Sequence, residues 1–454
     1  MTHDWPPKDK VLLVLCGGLG LGLRFWNLDG KSLWLDEAYS VWRAALPIGK
    51  IWNMTSDPHP PGYYLLLHQF LTLGTSETTA RLPSAIASVL SVVLLFVLGK
   101  RLFRRDVGYL ATALLAVSAL DIWYAQETRM YVFVGTTALL AAIGVTIPSW
   151  RGVFIVATGL TLGLYLDYAM LPLWFAMSGI LAVFCSTNTR WPGSLYVWLS
   201  GSLLAALATI PLWPHLHTLS RIIGGSYLMQ DLTRLLGLST LSGSAYGLVL
   251  ASLGIISATT TLSFRFLSRR SPAAAATIGA SALLTVAVLS PFPRLYTLKK
   301  FLVTGWPFVV LLTAWLITCS PRWRSPLTRL VLVASVIAAA VGAVSVAKDD
   351  WRGVVAYLDS HREPGEEIWL DPSSDSIPYN YYKPTHAPFL SQLKDEALDP
   401  DHLVARTTIW LVVQRRFGWT SPGSPSEAWL DRNSTLTKQV PFARLELRRY
   451  EVVP

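Results

Sequence analysis

The chain has 454 residues, of which 52% are hydrophobic and 15% are charged. This apolar content exceeds what the core of a soluble protein would bury, and it excludes an ordinary water-soluble enzyme. The formal net charge of +10 does not indicate nucleic-acid binding, because the basic residues cluster in short segments between apolar runs, as in membrane proteins. Cys16, Cys185 and Cys319 are far apart in or beside apolar runs, so they predict neither a disulfide framework nor a metal motif.

Long apolar runs recur along the chain and predict a polytopic membrane protein with about eleven transmembrane helices. The first run lacks a clear small-residue cleavage site, so we interpret it as a retained span and not as a signal peptide. Helices are expected because lipid leaves the backbone no other partner except in a closed barrel, and the alternation of barrel strands is absent. The predicted spans lie near residues 9–27, 81–99, 107–121, 129–147, 152–168, 170–186, 194–213, 241–264, 273–291, 300–318 and 327–347.

Lysine and arginine are concentrated in alternate short loops, and this predicts the orientation of the helices. With the N-terminal residues Lys8 and Lys10 in the cytoplasm, the loop of residues 28–80 and the C-terminal stretch both lie outside. The opposite short loops carry acids instead, namely Asp121, Glu127, Asp167 and Asp231. We therefore expect a multi-pass protein of the cell membrane in contact with its lipids.

The loop of residues 28–80 holds the densest cluster of reactive side chains. It contains two notable segments, LWLDEAYSVW (Leu33–Trp42) and DPHPPGYY (Asp57–Tyr64). The first segment predicts a short helix over residues 36–45 that lies along the membrane surface. The second predicts an amphipathic helix over residues 62–73, because proline is tolerated in a first helical turn.

The composition changes at Lys348, where long apolar runs stop and charges, prolines and turn residues appear. We predict a transmembrane domain over residues 1–347, which includes the 28–80 loop, and a small extracytoplasmic α/β or α+β domain over residues 348–454. Within the small domain we predict one helix and three strands from hydrophobic patterning. These elements are Trp351–His361, Glu367–Leu370, Thr408–Val413 and Arg444–Val453.

Asp36 and Glu37 are adjacent acids among aromatic residues at the start of the loop. One interpretation is that they stabilise the N-terminus of a surface helix. The other is a general base, because a carboxylate beside apolar surface has its pKa shifted toward that role. Spacing alone leaves both interpretations open.

Asp57 and His59 precede two prolines, and Tyr63 follows in the same segment. These residues are typical of a stiff turn ahead of a helix. A stiff turn would also fix the histidine for a hydrogen bond to a ligand, so the structural and functional interpretations are compatible.

Four cations are candidates for contact with a phosphate group, and an acid, Glu127, lies beside one of them. Glu127 and Arg129 lie in DIWYAQETRMY at the edge of a predicted span, where an arginine either reaches lipid headgroups or binds a phosphate with two hydrogen bonds. Arg294, Lys299 and Lys300 lie on the predicted outer side, against the general charge trend. They contact either a phosphate ligand or lipid headgroups.

Metal and nucleotide signals are weak in this sequence. His215 and His217 have a spacing that two ligands of one metal could share, but no third ligand is near them in sequence. There is no P-loop, no glycine-rich dinucleotide motif and no HExxH motif. We expect no required cofactor and no metal site, with a divalent ion as an open alternative.

Several blocks of the sequence resemble one family in order. LWLDEAYS, DPHPPGYYLLLH, SETTARLPSAIASVLSVVLLFVLGKRLF and DIWYAQETRMY are similar to successive blocks of the bacterial protein O-mannosyltransferase and lipid A aminoarabinose transferase family, whose members are GT-C membrane glycosyltransferases. The resemblance covers about residues 30–135. It continues more weakly at PRLYTLKKFLVTGWPF (Pro293–Phe308) and at KDDWRGVVAYL, from Lys348.

The resemblance implies a GT-C fold and transfer of a sugar, with inversion, from a polyprenyl-phosphate carrier to a hydroxyl acceptor outside a bacterial inner membrane. The acceptor is a protein, a lipid or a glycan. Asp36 corresponds to the family's catalytic base and Glu37 to its neighbouring acid. Arg129 corresponds to the arginine that faces the carrier phosphate, helped by Lys299, Lys300 and Arg294, while Asp57, His59, Tyr63 and Glu127 support the site. A lipid or sugar transporter is the alternative function, and an enzyme that moves a phospho or acyl group from a lipid with a metal is a third.

Overall fold

The structure is a computed structural model, and it describes residues 6–55, 57, 59–171, 173–174, 177–178, 192–215, 296–319, 324–345, 347–371, 373–383, 408–414 and 425–452. The helices of these ranges are α1 (Pro7–Phe25), α2 (Leu35–Ala44), α3 (Ile48–Asn53), α4 (Gly62–Leu71), α5 (Glu77–Leu102), α6 (Arg105–Ala116), α7 (Ala119–Ala125), α8 (Tyr131–Val145), α9 (Trp150–Leu166), α10 (Pro192–Ala208), α11 (Tyr296–Thr318), α12 (Arg324–Ser345), α13 (Trp351–His361), α14 (Ser376–Tyr382) and α15 (Pro425–Asn433). The strands are β1 (Glu367–Asp371), β2 (Thr408–Gln414), β3 (Ser434–Phe442) and β4 (Leu445–Val452).

The chain divides into two compact units, which do not follow the sequence order. The first unit contains Met1–Trp26, Pro47–Leu66 and Arg81–Ala343. The second contains Asn27–Leu46, Leu67–Ala80 and Val344–Pro454. Two segments of the 28–80 loop thus pack with the C-terminal residues into one unit.

The first unit is a bundle of apolar helices. Helix α5 and residues Ser325–Gly342 of α12 are each long and apolar enough to span a membrane. Helices α6 and α7 pass the same test together, although they are bent by 59° at their junction. The predicted span over residues 107–121 is therefore a broken helix, and the hydroxyl of Ser118 accepts a hydrogen bond from the backbone of Asp121 at the new start.

Most predicted spans in the described ranges coincide with a helix, which confirms the polytopic helical prediction. The predicted spans near residues 241–264 and 273–291, and most of the span near 170–186, lie outside the described residues. The number of eleven spans accordingly stays a prediction. Close packing of α1 on α6 requires a glycine, because a Cβ on Gly20 would lie 2.0 Å from the carbonyl oxygen of Ala116.

The second unit contains a four-stranded sheet with the order β1-β2-β4-β3. Strands β1 and β2 are parallel, and the other two pairs are antiparallel. One face packs on α13, where Trp351, Val354 and Leu358 are buried with Trp410 and Leu447. The predicted helix at 351–361 and the three predicted strands are confirmed, and β3 is an additional strand.

The segments of the 28–80 loop in this unit pack on α14. Ala38 and Val41 of α2 form an apolar cluster with Ile377 and Tyr381. The backbone N–H of Leu33 donates to the hydroxyl of Tyr382 over 2.7 Å. The predicted short helix after residue 36 is confirmed by α2, and the predicted helix after residue 62 by α4.

Candidate active site

In the first unit, three side chains from distant segments of the sequence are joined by two hydrogen bonds. The Nδ1 atom of His59 lies 3.2 Å from Oδ2 of Asp167, at the end of α9. The Nε2 atom of the same ring lies 3.1 Å from Nη2 of Arg129. Since a guanidinium can only donate, the histidine accepts at Nε2 and donates from Nδ1 to the carboxylate. The His59 imidazole therefore links the Asp167 carboxylate to the Arg129 guanidinium.

The turn around Asp57 holds His59 in this position. Oδ1 of Asp57 accepts from the backbone N–H of His59 over 2.7 Å, and Oδ2 accepts from the hydroxyl of Tyr64 over 3.2 Å. Asp57 is buried, and His59 is partly exposed. The turn interpretation of the sequence is thereby confirmed, and the same turn presents the imidazole.

Arg129 is 4% exposed, and Tyr131 at the start of α8 contributes to its environment. Nη2 of Arg129 donates to the hydroxyl of Tyr131 over 3.1 Å, and the Arg129 carbonyl accepts from Ser84 of α5 over 3.2 Å. Glu127, two residues earlier, is also buried at 4% exposure. An arginine that only snorkels would extend to the surface, so this buried position does not fit the snorkelling interpretation.

We define the Arg129 end of the first unit as the end that carries Arg129, the last turn of α9 and the first turn of α8. Helix α11 begins at this end, as two contacts show. Nε1 of Trp306, at the middle of α11, donates to Ser118 over 2.7 Å, between α6 and α7. Trp315, near its C-terminus, packs on Phe103 at the opposite end of α6, with ring centroids 5.8 Å apart.

Lys299 and Lys300 lie in the first turns of α11. A Cβ on Gly135, one turn into α8, would lie 3.2 Å from the carbonyl oxygen of Thr304, so the two helices run side by side here. The backbone of both lysines, one turn before Thr304, is thus at the Arg129 end. Arg294 lies outside the described residues.

The first unit also contains a buried ion pair that we did not predict from the sequence. Arg24 of α1 is fully buried, and its Nη2 atom lies 2.5 Å from Oδ2 of Asp121. The same guanidinium donates to the carbonyls of Gly20, Leu115 and Ala116, at 2.7, 3.0 and 2.6 Å. Asp121, which we interpreted as an acid of an outer loop, is an internal partner that joins α1 to α7.

We expect Arg24→Met to lower the free energy of unfolding by about 3–5 kcal/mol, because it leaves the Asp121 carboxylate buried without its charge partner. Thermal unfolding in detergent measures this loss. Arg101→Met is the matched control, since Arg101 is exposed near the end of α5 and exposed charges contribute only about 0–1 kcal/mol through ion pairs. Equal stability of the two variants would contradict a structural role for Arg24.

In the second unit, Asp36 and Glu37 occupy the first turn of α2 but differ in environment. Asp36 is half-buried, whereas Glu37 is fully buried. Oε2 of Glu37 lies 2.9 Å from Nζ of Lys348, itself 5% exposed. The position of both acids in the first turn of α2 agrees with the interpretation that they stabilise the start of a helix. Their burial differs, because Glu37 is fully buried and Asp36 is not.

Hydrogen bonds of Tyr382 in the second unit fix the start of α2. The hydroxyl of Tyr382 donates to Glu77 over 2.9 Å while it accepts from Leu33. Burial raises the pKa of Tyr382 well above its ordinary value, so the phenol remains a donor at neutral pH. Arg352 also pairs with Glu77.

Tyr63 and His215 are buried in the first unit. Tyr63 packs edge-on against Phe133, with centroids 5.8 Å apart. Nε2 of His215 lies 2.7 Å from the carbonyl of Trp52, and His217 lies outside the described residues. In the part of the chain that the structure describes, no group of three or more His, Cys, Asp or Glu side chains is arranged to hold a metal ion. The expectation that no metal is required stays a prediction.

The match to a sequence family falls on the segment that builds the Arg129 end. The profile of the dolichyl-phosphate-mannose-protein mannosyltransferase family matches residues 58–215, about a third of the chain. Comparison with curated proteins gives no match.

Solved structures show the fold. ArnT from Cupriavidus metallidurans is similar with a TM-score of 0.58 and 12% identity, over 97% of this chain and 98% of that chain. The oligosaccharyltransferase of Archaeoglobus fulgidus, in complex with Zn and sulfate, is similar with a TM-score of 0.53 and 13% identity, over 82% of this chain and 61% of that chain. AglB of the same organism, in complex with an inhibitory peptide and a dolichol-phosphate, has a TM-score of 0.52 and 12% identity, over 83% and 63%. The chain thus spans less than two thirds of the length of these archaeal proteins.

The chain has the GT-C fold, which it shares with these solved structures. Its family-matched segment contains His59, Glu127, Arg129 and Asp167, so three of these four polar residues meet in one hydrogen-bonded chain inside that segment. Asp36, Glu37 and Lys348 lie outside the matched residues of this GT-C protein. The family resemblance and the GT-C fold predicted from the sequence are confirmed.

Proposed function

We propose that this GT-C protein transfers a sugar from a polyprenyl-phosphate carrier to a hydroxyl group of a protein, lipid or glycan acceptor, with inversion. The observation that carries the proposal is the buried Arg129, held by His59 and Tyr131 within the mannosyltransferase-like segment. The dolichol-phosphate in the AglB complex supports a lipid-linked phosphate as the ligand of this fold.

Arg129 is the proposed ligand of the carrier phosphate. Transfer breaks the bond between the anomeric carbon and the phosphate oxygen, and the electron pair leaves with the lipid phosphate. A buried guanidinium stabilises that charge where it develops, more strongly than it would in water. Lys299, Lys300 and Arg294 are proposed to add positive charge, and a requirement for metal is not part of the mechanism.

Asp36 is the proposed general base. It takes the proton of the acceptor hydroxyl as the oxygen attacks the anomeric carbon, so the new glycosidic bond forms as the phosphate leaves. The transition state resembles an oxocarbenium ion, which a nearby carboxylate also stabilises. The half-buried position of Asp36 in the first turn of α2 agrees with an acid that reaches a substrate.

The proposed location is a bacterial inner membrane, with the Arg129 end and the C-terminal domain extracytoplasmic. The distribution of basic residues supports this orientation. Lys100, Arg101, Arg104 and Arg105 lie at the junction of α5 and α6, which is the opposite end of the bundle. Such residues are concentrated on the cytoplasmic side.

We expect Arg129→Ala to weaken binding of a polyprenyl phosphate by about 10-fold or more, because hydrogen bonds to charged groups contribute about 1.5–3 kcal/mol. Titration of the purified protein in detergent with that lipid, by native mass spectrometry, measures the change. Arg151→Ala is the control, since Arg151 is an exposed arginine at the start of α9. Unchanged binding by the Arg129 variant would move the phosphate site elsewhere.

We expect transfer to continue in EDTA, because cations of the chain supply the charge that stabilises the leaving phosphate. Incubation of the purified protein with EDTA, followed by readdition of Mg²⁺ or Mn²⁺, tests this. Loss of activity that the metal restores would favour the metal-dependent alternative instead.

A further inference from the structure

Asp167 occupies a position that is unfavourable for an acid. It follows directly after the C-terminal residue of α9, where the partial negative charge of the helix opposes a carboxylate. It is also 6% exposed. A buried carboxylate at a helix C-terminus needs compensation by specific partners, and here these are the imidazole of His59 and the N–H of Ala169, at 3.2 and 2.7 Å.

The hydrogen-bond directions give Asp167 a second effect. Its Oδ2 atom can only accept while the carboxylate is charged, so His59 must carry its proton on Nδ1. The Nε2 atom then has a free electron pair toward Arg129, whose Nη2 lies 3.1 Å away. In the other tautomer, two N–H groups would face each other at this contact, and the hydrogen bond would be lost.

We propose that Asp167 is a positioning residue that selects the tautomer of His59 and, through it, orients the Arg129 guanidinium for the carrier phosphate. The inference rests on the proposed function, because it takes Arg129 as the phosphate ligand. Asp167 acts without touching the substrate, in the way that the partner of a catalytic histidine fixes its ring and its proton.

Asp167→Asn isolates this effect. The asparagine oxygen can still accept from the N–H of Ala169, so the turn after α9 keeps its hydrogen bond. Its amide nitrogen donates toward Nδ1 of His59 and forces the proton to Nε2. We expect binding of a polyprenyl phosphate to weaken by about 10-fold, because one charge-assisted hydrogen bond of Arg129 is lost, with an unchanged thermal unfolding midpoint.

A double-mutant cycle separates this role from a general structural role. In His59→Gln, the glutamine oxygen can accept from Arg129 without help from Asp167. Asp167→Asn should therefore change binding by less than about twofold in that background, because the residues act in series and their effects are not additive. An equal loss in both backgrounds, or no loss in the single variant, would overturn the inference.

The controls distinguish failure of the inference about Asp167 from failure of the proposed function. If the unaltered protein does not bind the polyprenyl phosphate, or Arg129→Ala binds as well as it does, the carrier-phosphate proposal fails. If Arg129→Ala weakens binding and Asp167→Asn does not, only the inference fails.

Nitrogen NMR of ¹⁵N-histidine-labelled protein tests the tautomer of His59 without a ligand. The signals of His59 are assigned by their absence in His59→Gln. In the unaltered protein His59 should carry its proton on Nδ1, and in Asp167→Asn it should carry its proton on Nε2. A proton on Nε2 in the unaltered protein would refute the inference.

Discussion

Replacement of Asp36 by asparagine should abolish measurable sugar transfer while the chain remains folded and binds polyprenyl phosphate. The amide has nearly the same shape but cannot take a proton, and loss of a general base lowers rates by about 10²–10⁴-fold. Asparagine is also accepted at a helix start, so α2 should keep its first turn. A transfer assay with the purified variant, beside a lipid-binding titration, measures both properties.

Asp29→Asn is the matched control for this prediction. Asp29 lies in the same loop, seven residues earlier, and it is exposed. The control should transfer sugar at the rate of the unaltered protein. Full activity of Asp36→Asn would remove this residue from the role of base, and loss of lipid binding in that variant would show that Asp36 acts on the donor instead.

Replacement of Lys348 by methionine should destabilise the second unit by about 3–5 kcal/mol, because it leaves the charge of Glu37 buried without its partner. Glu37 is fully buried and lies 2.9 Å from the lysine. The expected result is a lower unfolding midpoint and faster proteolysis in detergent. Lys383→Met is the control, because the Asp359 partner of Lys383 is 52% exposed.

The double variant Glu37→Gln/Lys348→Met should recover most of the lost stability, because it removes both buried charges together. Its transfer activity distinguishes two roles of Glu37. Retained activity shows that the acid holds α2 in place through the lysine. A stable but inactive double variant shows that the charge of Glu37 itself contributes to transfer.

Local features of the fold could be predicted from the sequence. The helix Trp351–His361 agrees at both ends, because Asp350 precedes it and its side chain accepts from the N–H of Gly353. Pro60 and Pro61 mark the start of α4, and strong apolar runs mark α5 and α12. These signals depend on residues close together in sequence, so a single sequence contains them.

Long-range partners could not be predicted in the same way. Asp167 meets His59 across 108 positions, and Lys348 meets Glu37 across 311. The residues next to an acid in the sequence do not identify such a partner. The position of Asp167 directly after an apolar helix is the one sequence signal that could have made it a candidate. Strand β3 was missed because most of its residues are exposed on the edge of the sheet, which removes the hydrophobic alternation.

The family resemblance covers His59 and Arg129 but not Asp167, and it does not show that these residues are in contact. His59 and Arg129 were separate candidates in sequence, and the structure joins them through one hydrogen bond. The grouping of α2 with α14 in the second unit likewise depends on an apolar cluster of residues from both ends of the chain.

Consumption of the lipid donor tests the central claim most directly. The purified protein, in vesicles that contain a lipid extract with polyprenyl-phosphate-linked sugars and membrane acceptors, is followed by mass spectrometry. The account predicts loss of the lipid-linked sugar with an equal gain of free polyprenyl phosphate, and no such conversion with Asp36→Asn. Unchanged lipid-linked sugars in the presence of the unaltered protein, or equal conversion by both proteins, would contradict it.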